Sequence, residues 1–60
     1  MGYYKIYEVK TVYGLFELWE DETYGDEVPA MVTLNNIKVG VTYDSLETFI
    51  KDNYYIEEEM

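Results

Sequence analysis

At Asp44 the hydrophobic period of this chain changes from two residues to between three and four, and that switch limits the folds open to it. In the stretch 35–51, NNIKVGVTYDSLETFIK, Ile37, Val39, Val41 and Tyr43 alternate with Lys38, Gly40 and Thr42. This is the pattern of a strand with one buried face. Beyond Asp44, Leu46, Phe49, Ile50 and Asn53 fall on one face of a helix. Asp44 has the chemistry of an N-cap, with a carboxylate able to accept from the unpaired amides of the first turn. Glu47, three residues on, completes a capping-box-like pair. The stretch therefore predicts a strand over 37–43 that runs directly into a short amphipathic helix over 45–53.

Three more strands are predicted before it. Over 3–13, Tyr7, Val9 and Thr11 share a face with Tyr3, Lys5 and Tyr13, while Tyr4, Ile6 and Val12 share the other with Glu8 and Lys10. Gly14 permits a tight turn into a second strand over 15–20, with Phe16 and Leu18 on one face and Leu15 and Trp19 on the other. A third strand over 30–34 places Ala30, Val32 and Leu34 opposite Met31 and Thr33. Asn35-Asn36 then suits a two-residue turn, since asparagine tolerates the left-handed conformation. The three glutamates at 57–59 oppose the helix dipole, so the helix is expected to stop near Asn53 and leave an acidic tail over 57–60.

The expected fold is α+β: a four-stranded antiparallel sheet followed by one C-terminal helix, ββββα, as a single small domain over 1–60. One helix covers one face of a sheet, and both faces of the first hairpin carry large apolar side chains. Self-association as a dimer or tetramer is therefore expected, with Leu15, Trp19, Tyr54, Tyr55 and Ile56 as the interface. Sixty residues bury a modest core, which gives a partner copy a thermodynamic purpose.

The chain has no cysteine and no histidine, so disulfides, thiolate nucleophiles, imidazole bases and zinc sites are excluded. Thirteen acids face four lysines and no arginine, for a formal charge of −9. The acids crowd around the loop 21–29, DETYGDEVP, where Glu20, Asp21, Glu22, Asp26 and Glu27 are candidate oxygen ligands for Mg2+ or Mn2+. Their order does not match an EF-hand loop, and a solvated acidic loop is the plainer reading. Any enzyme built here would use carboxylates with a divalent metal, or a tyrosine nucleophile such as Tyr13 or Tyr43. Lys5, Lys10, Lys38 and Lys51 are scattered along the chain rather than clustered in a basic stripe. Such an acidic surface either keeps a small protein soluble or copies a nucleic-acid backbone. Neither a signal peptide nor a membrane span is visible, so a soluble intracellular protein is expected.

Four strands and a helix carried by YYKIYEVKTVYG, LFELWE, AMVTL, IKVGVTY and DSLETFIKDN resemble a minimal positive-cofactor-four-like fold. Many members of that family dimerise and bind single-stranded nucleic acid. The pattern is also similar to small phage-encoded anti-CRISPR proteins built on this fold. That resemblance implies counter-defence in the cytoplasm of a bacterial host, acting on a CRISPR nuclease or on DNA. It would work through metal-dependent nicking or relaxation of supercoiled DNA. The resemblance assigns no residue by position; if the chain acts on DNA, its own lysines Lys5, Lys10 and Lys38 are the candidate phosphate contacts. The chain departs from nucleic-acid-binding members in its inverted charge. The alternatives are a non-enzymatic acidic decoy, mimicking DNA in the basic groove of a nuclease or regulator, and an oligomeric structural module without chemistry.

Overall fold

The computed structural model describes residues 2–54, so Tyr55, Ile56 and the acidic tail at 57–60 lie outside the described residues. Strands β1 (Tyr3–Thr11), β2 (Gly14–Asp21), β3 (Ala30–Leu34) and β4 (Ile37–Thr42) pair in chain order as an antiparallel meander, and helix α1 (Leu46–Asn53) follows. The expected ββββα architecture is present. No helix is long and apolar enough to cross a membrane among the described residues.

Each turn has the backbone its residues allow. Val12 and Tyr13 make the first turn, so β1 stops at Thr11 rather than at residue 13. Gly14 leaves the turn at φ 132°, and a Cβ there would lie 2.3 Å from Asn35 Nδ2. Only glycine fits both that conformation and that approach. The Asn35 side chain closes on the first hairpin: its Nδ2 donates to the Tyr13 carbonyl (3.3 Å) and its Oδ1 accepts from the Leu15 amide (3.0 Å). Asn35 and Asn36 themselves take φ 53° and 72°, the left-handed pair that a type I′ hairpin requires.

The core lies on one side of the sheet, built from Phe16, Leu18, Val32, Leu46, Phe49 and Ile50, with Val9, Ala30, Leu34 and Tyr54 around it. α1 leaves the end of β4 and returns toward the first turn, where the Tyr54 ring packs on Phe16 (centroids 5.0 Å, edge-on) and Tyr13 (5.1 Å). Tyr54, expected at a contact between copies, is thus turned onto its own chain.

Two bulges change which side chains face the helix. Lys5 pairs with Trp19 but Tyr7 with Leu18, which leaves Ile6 as an extra residue. Tyr3 and Lys5 consequently lie on the open face, and Tyr4 joins Tyr7 and Val9 on the helix side, against the single alternation expected for 3–13. In β4, Val32 pairs with Gly40 and Thr33 with Lys38, so Val39 is the extra residue. The buried position of β4 is Gly40, where a Cβ would lie 2.8 Å from Phe49 Cζ. The expected buried set is outside instead: Ile37, Val41 and Tyr43 are 68%, 47% and 73% exposed. A side chain at position 40 would clash with the Phe49 ring, so the ring takes the glycine, and Val41, paired with Met31, turns to the open face.

The helix is capped one residue later than expected. The Asp44 amide is held by the Thr42 hydroxyl (2.9 Å), which keeps Asp44 in the turn out of β4. Ser45, at φ −69° and ψ 159°, is the N-cap, and its Oγ accepts from the Thr48 amide (3.1 Å) while donating to Thr48 Oγ1 (2.9 Å). The Asp44–Glu47 box does not form. Glu47 sits in the first turn, favourable beside the positive end of the helix dipole.

Candidate functional site

The two sides of the sheet differ in chemistry. On the open face, register places Lys5 beside Trp19, Glu8 beside Glu17, Lys10 beside Leu15 and Lys38 beside Thr33. A hydrogen-bond chain crosses three strands there. Trp19 Nε1 donates to Thr33 Oγ1 (2.9 Å), Thr33 Oγ1 donates to Glu17 Oε1 (3.4 Å), and Lys5 Nζ bridges Glu17 Oε2 (3.2 Å) and Glu8 Oε1 (2.7 Å). Glu17 and Thr33 are each only 7% exposed, so the ammonium and the hydroxyl offset the desolvation of the Glu17 carboxylate. The carboxylates hold the Lys5 ammonium above its ordinary pKa, Glu8 contributing most and Glu17 next. Three of the four lysines are therefore brought to one face, as nucleic-acid contact would need. However, Lys5 is committed to two glutamates. Sequence reasoning missed the chain because Trp19 and Thr33 meet only once β2 and β3 are in register.

On the helix side, at the end of the sheet where α1 begins, a cleft of about 140 Å3 is lined by Ile6, Leu18, Val28, Ala30 and Thr42 with Tyr43. Glu20, Asp26 and Asp44 also line it. Glu20 Oε1 accepts from the Tyr4 hydroxyl (2.8 Å), and that bond raises the Tyr4 phenol above its ordinary pKa. Further along the same side, Tyr7 donates to Glu47 Oε2 (2.5 Å), tying β1 to the first turn of α1. The Tyr7 hydroxyl, and then the backbone amide of Glu47, hold the Glu47 carboxyl below the usual carboxylate range, while the Tyr7 phenol is raised by Glu47.

The five acids expected as metal ligands are dispersed by the loop. Asp21 Oδ1 accepts from the Thr23 (2.7 Å) and Tyr24 (2.8 Å) amides, shaping the turn that Gly25 completes at φ 58°. Glu20 and Asp26 line the cleft, whereas Glu22 and Glu27 are exposed. Among the described residues, no three acidic side chains converge so as to hold a metal ion. Adjacency in sequence alone does not gather the five into a cluster for Mg2+ or Mn2+ among the described residues, in keeping with the plainer reading of a solvated acidic loop. Tyr24, in the middle of this loop, is exposed.

Leu15 and Trp19, expected at an interface, are both half-buried on the open face of their own chain. Comparison with protein-family models, curated proteins and solved structures finds no match for the chain. Its chemistry is therefore read from its own surface. That surface offers carboxylates around a small apolar cleft on one side, and a charge-balanced, tryptophan-bearing sheet face on the other.

Proposed function

We propose that this protein is a non-enzymatic binding module, an acidic decoy that occupies the basic groove of a nucleic-acid-handling protein. The observation that carries the reading is the separation of charge by the sheet. Three of the four lysines stand on the open face, while Glu20, Asp26, Asp44 and Glu47 stand on the helix side with no lysine paired to them among the described residues. With net charge −9 and only Lys51 of the four lysines on the helix side, in the last turn of α1, that side carries an excess of negative charge. The resemblance to anti-CRISPR proteins supplies the biological setting, counter-defence in a bacterial host with a CRISPR nuclease as the partner. The dispersed loop acids give the nicking alternative no comparable support.

Self-association belongs to the same reading. On the open face Lys5, Lys10 and Lys38 stand against Glu8, Glu17 and the strand-end Asp21, a near balance of charge beside Leu15, Trp19 and Met31. Two copies meeting there bring the least repulsion together and keep both acidic sides outward.

The test is competition. A guide-loaded CRISPR nuclease is bound to labelled target duplex and the protein is titrated in. Displacement that weakens at least about tenfold as salt rises from about 50 to about 200 mM supports the decoy. Supercoiled plasmid incubated with the protein and Mg2+ or Mn2+ should stay supercoiled. Open circles that disappear with chelator would overturn the reading in favour of nicking.

A further inference from the structure

We infer that the helix-side cleft is a socket for one cationic side chain of the partner, an arginine whose stem enters the cleft and whose guanidinium meets the rim. The inference rests on the acidic-decoy reading and gives it a point of contact. Four observations carry it.

Size comes first. A cleft of about 140 Å3 is far below the roughly 300–1,000 Å3 of nucleotide- and drug-sized sites. It is close to the roughly 150 Å3 cavity that accepts a single aromatic ring, so one side chain is the scale of ligand it can hold. Lining comes second: Ile6, Leu18, Val28 and Ala30 give it apolar walls that would bury methylene groups. Charge is the third. Glu20, Asp26 and Asp44 line the same cleft, and among the described residues no lysine is paired to any of them. Lys5, Lys10 and Lys38 are across the sheet, and Lys51 is in the last turn of α1, away from Asp44 at its start. The fourth observation is hydrogen-bonding capacity. Glu20 accepts from one phenol, leaving acceptor positions for the several donors of a guanidinium. An apolar stem beside a planar, weakly hydrated cation is the shape of arginine, which pairs with carboxylates through two parallel bonds.

The probe is N-acetyl-arginine amide, titrated into the isotope-labelled protein and followed by amide NMR. N-acetyl-citrulline amide, the neutral isostere, serves as the control. Saturable shifts centred on Ile6, Leu18, Ala30, Thr42 and Asp44 are expected, with citrulline weaker by about tenfold or more. The combined variant Glu20→Gln, Asp26→Asn and Asp44→Asn should abolish them. These amides keep size and one acceptor oxygen each while removing the charge, and an unchanged spectrum elsewhere shows that the fold is retained. Shifts spread evenly over Glu22, Glu27 and Asp52, or equal shifts with citrulline, overturn the inference. The nuclease competition separates the two levels. If the triple variant still displaces duplex with undiminished affinity, the socket is wrong and the decoy stands. If the unaltered protein never displaces duplex, the decoy reading itself fails.

Discussion

Ser45 and Asp44 are adjacent and both suited to capping, yet only Ser45 reaches the Thr48 amide. Ser45→Ala should therefore cost about 1 kcal/mol in urea unfolding, while Asp44→Ala should stay within about 0.5 kcal/mol because its side chain caps nothing. The reverse order would show the helix starting one residue earlier. The Tyr7–Glu47 bond makes a pH prediction at the same scale. Glu47 is depressed in the folded chain, so its contribution is present above the ordinary carboxylate pKa and lost as pH falls through the folded value. Tyr4, Tyr7 and Lys5 are raised, so theirs is present below their ordinary values, about 10 and above, and lost as pH rises through the folded ones. Thermal melts across pH should show a plateau near neutrality with a fall on each side. Tyr7→Phe should lessen the acid fall, since Glu47 then loses the donor that depresses it. An unaltered acid limb in that variant would show that the bond does not form in solution.

At the scale of elements, the contact that sets the helix on the sheet is Phe49 over Gly40. Adding a side chain to Gly40 forces the ring out of its seat. Gly40→Val is expected to destabilise by about 1–3 kcal/mol although valine suits a strand. Phe49→Ala should cost about 3–5 kcal/mol, enough to unfold a domain of this size. A stabilised Gly40→Val in chemical denaturation would mean that the helix lies elsewhere. The two bulges work at this scale too. Each reverses the facing of the residues on one side of it, which is how Lys5 reaches Glu17 and how Val41 comes to face solvent.

At the scale of the whole molecule, salt should act in opposite directions on the two proposed contacts. Screening weakens attraction between the acidic side and a basic partner, and it relieves repulsion between copies of net charge −9. Light scattering should show association strengthening from about 50 to about 500 mM salt, while nuclease competition weakens over the same range. A folded monomer at high protein concentration and high salt would remove the open face as a contact between copies. How much of this was legible in the chain follows from range. The period switch at Asp44, the turn chemistry of Gly14 and Asn35-Asn36, and the alternation in β2 and β3 are local, and each led directly to its element. The charge and the missing cysteine and histidine were equally plain. What the chain alone did not give was everything set by one segment meeting another. The buried face of β4 was decided by the width of the Phe49 ring, and the phase of β1 by a bulge opposite Trp19 and Leu18. Whether the loop acids gather into a metal-holding group was decided by the folded loop, and the cleft exists only because Ile6, Ala30 and Asp44 arrive from three separate segments. Local preferences select conformations within a few residues. Packing selects among their combinations, and only the tertiary structure carries out that selection.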